Sequence, residues 1–507
     1  MFLGFALWSR GSEIARLTHE FPSMANVLLR VSALVVAAFA VYWTLSRAPQ
    51  VPASGPLCDH CNVVLISFDT VRADHLGTYG YSRPTSPNVD KLAARSFVFE
   101  NAIAQSPWTL PSHASMLSGL YPSRLGVLRY PATRILPDQN IVLPEVLRSA
   151  GYQTAGFIGG GFVNEHYGFD RGFDLYSREG PRFEHNLDST IEWIDEHRDK
   201  RFFAFVHGYD AHRPYYSKPV DKQAMGMSAD AAREQGHYCL GEDRAVPDPE
   251  HFDRIVRYYD SAIHHGDRAI GVLVTALEMM GVLDHTVILL TSDHGEEFFE
   301  HGNCDHVRFL YRESLHVPFL LYIPGLAGGR VKGTIPASIS VARTLLDAVG
   351  IESAMPGTTL LPMLRGLQEG FPVIYAEANS KRGALGSRGR CVAMMKSNLK
   401  LISYLDEGID EAYDLSTDPF EKERLPSDHP AYGMSAALHS WEDSWTALPK
   451  PIGSPDIEPP ADDDDSTGLG DEDDGAPGSK RLRDEPARKK TTNQRLREEL
   501  KALGYVE

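Results

Sequence analysis

The feature that most constrains this chain is a series of short, unbroken apolar runs, each closed by polar residues. "NVVLISF" (Asn62–Phe68) leads into Asp69, and "FFAFVHGYD" (Phe202–Asp210) leads into His212. "TVILLTSDHG" (Thr286–Gly295) carries Asp293 and His294, while "TAGFIGG" (Thr154–Gly160) and "FLLYIPG" (Phe319–Gly325) repeat the texture. A strand that is apolar at every position, not at every second one, is buried on both faces, as in parallel sheets covered by helices. The covering helices are legible between the runs, in "NLDSTIEWIDEHRD" (Asn186–Asp199) and "FDRIVRYYDSAIHHGDRAIGVLVTALEMMG" (Phe252–Gly281). The expected fold is therefore α/β, a large domain with a mostly parallel central sheet sandwiched by helices. From about Pro372 the runs shorten to "VIYAEA", "CVAMMKSNLKLISYL" and "EAYDL", which read as a small C-terminal antiparallel sheet with a helix.

In α/β sheets ligands bind beyond the carboxyl ends of the strands. Three polar clusters fall there: Asp69; His207, Asp210 and His212; Asp293 and His294. Carboxylate oxygens and imidazole are donors that hold a divalent cation. Singly, each aspartate reads equally as a helix cap or loop residue. With Thr109 they form a four-donor set, Asp69, Thr109, Asp293 and His294, which suits Mn or Zn because of the imidazole and also accepts Ca or Mg. Asp210 is a candidate ligand of a second metal, or else orients His212.

Thr109 opens "TLPSHASMLSG" (Thr109–Gly119). Proline belongs in the first turn of a helix, so Pro111 puts Thr109 at or just before a helix N-terminus. There the unpaired N–H groups and the helix dipole favour an anion. A hydroxyl in that place, touching a cation, loses its proton near neutral pH and becomes a nucleophile. The plainer alternative makes Thr109 an N-cap only.

The rest of the chain bounds the setting. The formal net charge of −18 argues against nucleic acid as a partner. Much of that charge lies in "DIEPPADDDDSTGLGDEDD" (Asp456–Asp474), a run that repels itself and stays solvated. The apolar stretch within residues 27–45, preceded by Arg10, Arg16 and Arg30, reads as a signal-peptide core or a signal anchor. It sets the catalytic part outside the cytoplasm, periplasmic or at the cell surface, either anchored or secreted. Of five cysteines only "CDHC" (Cys58–Cys61) is closely spaced, as a local disulfide or as two unlinked thiols. The expected segments are a leader and linker (1–57), a catalytic domain (58–371), a C-terminal subdomain (372–450), a disordered linker (451–490) and an amphipathic helix (491–507).

"NVVLISFDTVRADHLGTYGY", "PTSPNVDKLAARSFVFENAIA", "LTSDHGEEFFEHG", "GTTLLPMLRG" and "YDLSTDPFEKERL" follow one another between Asn62 and Leu425. In this order they resemble the sulfatase branch of the alkaline phosphatase superfamily. The resemblance implies a metal at the strand ends, a smaller C-terminal sheet domain, and hydrolysis through a covalent intermediate on the residue aligned with Thr109. It also implies that His212 contacts the oxyanion or protonates the leaving group, and that His306 lies near an anion-contacting lysine position.

The departures are specific. Sulfatases carry Cys or Ser, any residue, Pro, any residue, Arg, and oxidise the first to formylglycine. Here the frame reads Thr109, Leu110, Pro111, Ser112, His113, so His113 replaces the arginine that steadies formylglycine. Thr70 follows Asp69 where many sulfatases have a second aspartate, and Asp293–His294 replaces an Asp–Asn pair. The Lys and His that grip sulfate after the Thr154–Gly160 run are missing, with only Glu165 and His166 nearby. Threonine with Asp and Asp–His ligands looks more like the superfamily's phosphodiesterases and phosphoglycerol transferases. Three functions follow: a metal-dependent hydrolase of an anionic sulfuric or phosphoric ester, a phosphotransferase or phosphodiesterase acting on cell-envelope or lipid substrates, and a binding protein that keeps only the fold. The intact Asp69, Thr109, Asp293, His294 set favours the first. Arg72 reads as a substrate contact or a salt bridge, His301 and His306 fall beyond the metal pair, and His316 reads as a packed or surface histidine.

Overall fold

Each long apolar run forms a strand. The computed structural model describes residues 51–130, 136–137, 139–231, 248–380 and 388–446, with the single positions 30 and 33. Most of the leader 1–57, the linker 451–490 and the C-terminal stretch 491–507 lie outside the described residues. Among the described residues no helix is long and apolar enough to cross a membrane.

The main sheet contains β1 (Asn62–Phe68), β2 (Phe97–Ile103), β3 (Gln153–Phe157), β4 (Leu175–Ser177), β5 (Phe202–Gly208), β6 (Thr286–Thr291), β7 (His316–Val317), β8 (Phe319–Tyr322) and β9 (Gly329–Pro336). In space they run β7-β2-β8-β6-β1-β5-β3-β4, with β9 alongside β2. The centre is parallel, β1 between β5 and β6, and β8 is antiparallel to both β6 and β2. β1, β5 and β6 are buried at every position.

Alternate residues of these strands feed two separate cores. Val63, Leu65, Phe203, Phe205, Val287 and Leu289 face one, joined by Leu110, Ala114 and Val341. Those three belong to helices α1 (Thr109–Ser118) and, further along the chain, Ala337–Ala348. Val64, Ile66, Phe68, Ala204, Val206, Ile288 and Leu290 face the other core. Helices α2 (Phe183–His197) and α3 (Pro249–Met279) cover that side. The register is level: Ser67 lies opposite His207 of β5 and Thr291 of β6. The exits of β1, β5 and β6 are therefore neighbours, which is what brings distant sequence segments to one site.

The C-terminal sheet has four antiparallel strands, β10 (Val373–Ser380), β11 (Arg390–Lys396), β12 (Leu399–Tyr404) and β13 (Ile409–Asp414). The helix Ser435–Thr446 sets Leu438 against Val392 and Met394. A fifth strand, Arg129–Tyr130, comes from far upstream and pairs in parallel with β10. Two residues carry no periodic signal, so the sequence does not announce it. Cys58 and Cys61 are joined as a disulfide. Cys304 is disulfide-bonded too, and Cys391 is a buried free thiol.

α3 lies close to the end of β1. A Cβ on Gly266 would stand 2.4 Å from Phe68 Cζ and 3.1 Å from Asp210 Cβ. Alanine exceeds glycine by about 1 kcal/mol in helix propensity, but forcing a group into a packed core costs about 1–3 kcal/mol. Phe68 is buried and edge-on to Phe183 at 5.2 Å, so it has little room to turn away. Gly266→Ala is expected to lose about 1–2 kcal/mol in urea unfolding, the upper part of the overpacking range outweighing propensity. Equal or greater stability would mean that this helix is less tightly seated than described.

Candidate active site

The end of β1 delivers Asp69, whose backbone N–H donates to Gly208 O at 3.1 Å, tying it to the end of β5. The end of β6 delivers Asp293 and His294. Trp108 is the N-cap of α1 and Thr109 its first residue. Thr109 is therefore not the cap, and its hydroxyl lies 3.5 Å from Asp69 Oδ2 and 3.5 Å from His294 Nε2. Asp69, Thr109, Asp293 and His294 are all fully buried. The four residues singled out by the sequence meet in one place.

His294 Nδ1 lies 2.9 Å from Gly295 O, which only accepts, so Nδ1 carries the proton and Nε2 presents a lone pair. Burial pushes His294 down to about 4, which keeps the ring neutral. That lone pair faces Asp293 Oδ2 at 3.3 Å. Asp293 Oδ2 has no hydrogen-bond partner among the described residues, and Oδ1 takes the Thr70 N–H at 3.3 Å. Asp293 Oδ2, which also lies 3.4 Å from His113 Nδ1, and His294 Nε2 form a buried pair of acceptors that a cation between them would reconcile. Ligand atoms of Asp69, Asp293 and His294 lie within 4.8 Å of one another, and the backbone bond at Nδ1 orients the imidazole as metal ligands are oriented. The donor set fits a divalent cation.

Two further histidines brace the set from behind. His113 Nδ1 donates to Thr109 O at 2.9 Å, so its Nε2 accepts from the Ser67 hydroxyl at 2.8 Å. His207 Nδ1 accepts the Gly159 N–H at 3.3 Å, which leaves Nε2–H to donate to Asp69 Oδ2 at 3.4 Å. Burial lowers both rings, His207 furthest, with His113 adding to the effect there. His113 thus holds the first turn of α1, and His207 holds Asp69. The sequence reading included His207 in a polar cluster without a role; the signal was a histidine near the exit of an otherwise apolar buried strand.

At the rim, the His306 ring centre lies 4.5 Å from that of His294, and the His212 ring 5.1 Å from that of His306. His306 Nδ1 meets Glu296 Oε1 at 3.2 Å and Asp305 Oδ1 at 3.0 Å. Arg213 reaches Asp305 Oδ2 at 2.8 Å, linking the His212 and His306 segments. Asp305 (φ 78) and Val307 (φ 83) flank His306 in the left-handed region. Such conformations cost about 1–3 kcal/mol each, most for a β-branched residue, and persist where surrounding structure enforces them. The Val307 N–H donates to Pro107 O at 2.8 Å, pinning this loop to the approach of α1.

Asp210 is not brought into the group. Its Oδ2 accepts the Phe183 N–H at 2.9 Å and its Oδ1 lies 3.9 Å from His265 Nε2, so it serves the start of α2 and faces α3. Burial pushes it up to about 6. Arg72 forms salt bridges with Asp74 and Glu300, the plainer of its two readings. His301 pairs with Glu313 at 2.5 Å and stacks on Tyr311, and His316 bonds Glu100 O at 2.9 Å. Glu165 and His166 sit exposed in the single turn Glu165–Tyr167.

The profile of the Sulfatase family matches residues 61–351. This chain belongs to the sulfatase family. A second profile, N-sulphoglucosamine sulphohydrolase, C-terminal, matches residues 299–442. The chain is accordingly a sulfuric ester hydrolase, of a family whose enzymes generally use a divalent metal ion. It is 22% identical over 478 residues to the endo-4-O-sulfatase of Bacteroides thetaiotaomicron, covering 76% of this chain and 93% of that protein. The N-acetylglucosamine-6-O-sulfatase of the same organism is 25% identical over 465 residues, covering 72% and 82%. A solved structure in complex with its substrate D-glucosamine-2-N,6-O-disulfate superposes with a TM-score of 0.62 at 21% identity, over 76% of this chain and 97% of that one.

Adding Mn²⁺ or Zn²⁺ to chelator-stripped protein is expected to raise its melting temperature, by the equivalent of about 2.7 kcal/mol at 100 times Kd. Asp293→Asn is expected to remove most of that shift. An equal shift in the variant would place the cation elsewhere.

Proposed function

We propose that this chain hydrolyses a sulfate ester on a sugar of the glucosamine kind, with unmodified Thr109 as the nucleophile. The observation that carries this reading is the contact of Thr109 Oγ1 with both Asp69 Oδ2 and His294 Nε2 at the mouth of a buried helix. A divalent cation held by Asp69, Asp293 and His294 would supply Lewis acidity toward the hydroxyl and the ester oxygens. The sulfated-sugar class is suggested by what the relatives named above act on.

With a cation held by Asp69, Asp293 and His294 the Thr109 hydroxyl would give its proton to water; Oγ1 then attacks sulfur, the bond to the leaving oxygen breaks, and that oxygen takes a proton from protonated His212, which water recharges. Thr109 now carries the sulfate as an ester and the desulfated sugar departs. In the second step water attacks the same sulfur, Thr109 regains its hydroxyl, and hydrogen sulfate leaves. His306, beside His294 and held by Glu296 and Asp305, faces the ester oxygens. His113 fixes the Thr109 carbonyl and His207 fixes Asp69, so neither reacting atom drifts. The first turn of α1 presents backbone N–H groups to the anion. The Cys58–Cys61 disulfide and the oxidised Cys304 support a working compartment outside the cytoplasm.

Thr109→Ala is expected to cut turnover of p-nitrophenyl sulfate and glucosamine 6-O-sulfate at least ~10³-fold with an unchanged circular-dichroism spectrum. Retained turnover in that variant would exclude Thr109 as nucleophile. Cleavage of matched phosphodiesters alone would shift the substrate to phosphorus. His212→Ala is expected to cost roughly 10²–10⁴-fold on the sugar ester. The loss on p-nitrophenyl sulfate should be much smaller, because nitrophenolate leaves without a proton. Equal losses on both would deny His212 the role of acid.

A further inference from the structure

We infer that Arg178 binds a second sulfate group of the substrate, one carried by the departing sugar and not transferred to Thr109. The inference rests on the reading of the site as a sulfate-ester hydrolase. Gly159, Gly160 and Gly161 follow β3 and form one wall of the site, because the Gly159 N–H bonds His207 Nδ1 at 3.3 Å and His207 in turn holds Asp69. Gly160 (φ 90) and Gly161 (φ 54) adopt conformations that residues with side chains rarely take. A Cβ on Gly160 would lie 2.6 Å from Arg178 Cδ and 3.0 Å from its Nη1. Arg178 therefore fills the space a side chain at position 160 would claim. On Gly161 a Cβ would lie 2.6 Å from the Tyr209 hydroxyl. The Tyr209 ring stands 4.6 Å from His207 and 5.3 Å from His212. One continuous wall thus runs from Arg178 across bare backbone and Tyr209 to His212.

The charge on Arg178 has no answering carboxylate among the described residues. Its neighbours differ: Arg171 pairs with Glu145 at 3.1 Å, Arg182 with Glu184 at 3.6 Å, and Arg213 with Asp305 at 2.8 Å. Arg178 is exposed while Thr109 is fully buried, so the guanidinium stands at the rim and the reacting group at the floor. An anion on the rim, along the wall that ends at His212, belongs to the part of the substrate that His212 protonates and releases. The planar fork of the guanidinium matches two oxygens of a sulfate at once.

The probes are glucosamine 6-O-sulfate with an N-sulfo group and its N-acetyl counterpart. The wild-type enzyme is expected to favour the N-sulfo form in kcat/KM, and Arg178→Gln to reduce that ratio roughly tenfold or more, as loss of a charge-assisted pair implies. Arg178→Lys should restore part of it. Dissociation constants measured by calorimetry in a Thr109→Ala background read the same ratio without turnover, which separates this claim from the hydrolysis itself. An N-sulfo preference that survives Arg178→Gln, an absent preference in the wild type, or no binding of either sugar would overturn the assignment.

Discussion

A buried carboxylate stays charged only when opposite charge or hydrogen bonds replace the water it has lost. Asp293 meets that condition in an unusual way: one oxygen takes a backbone N–H, and the other faces a ring nitrogen that has no proton to give. A cation held by Asp69, Asp293 and His294 would stabilise that geometry. Burial keeps His294 neutral, and the Thr109 hydroxyl lies 3.5 Å from both Asp69 Oδ2 and His294 Nε2.

The sheet makes this convergence inevitable. Because β1, β5 and β6 run parallel in level register, Asp69, His207 and Asp293 leave the sheet at neighbouring points although far apart in sequence. The rim is held differently, by a loop bent through Asp305 and Val307 and tied to Pro107. The floor thus inherits its rigidity from the core, whereas His306 depends on local strain and ion pairs.

Much of this was legible from residues alone. Nearly all-apolar β-branched runs read as central strands, so their exits marked the site, and proline two residues after Thr109 marked a helix start there. Family resemblance then supplied the frame in which the departures at Thr70, Thr109 and His113 stand out. What was not legible depends on side-chain direction. Asp210 follows a strand exit as Asp69 does, yet it turns to cap α2 against Phe183 N. His207 looked like one polar residue among three and became the support of Asp69. The strand Arg129–Tyr130 is too short to carry a pattern. Arg178 gives no sign in sequence, because its place over Gly160 is set by a neighbouring strand.

Quenching the metal-loaded enzyme during turnover of a sulfate ester, digesting it, and reading the peptide that contains Thr109 by mass spectrometry tests the central claim most directly. The result expected is a threonine of unmodified mass in the resting enzyme and a fraction carrying one added SO₃ on Thr109 during turnover. A modified residue in the resting enzyme, or turnover with no SO₃ ever found on this peptide, would contradict it.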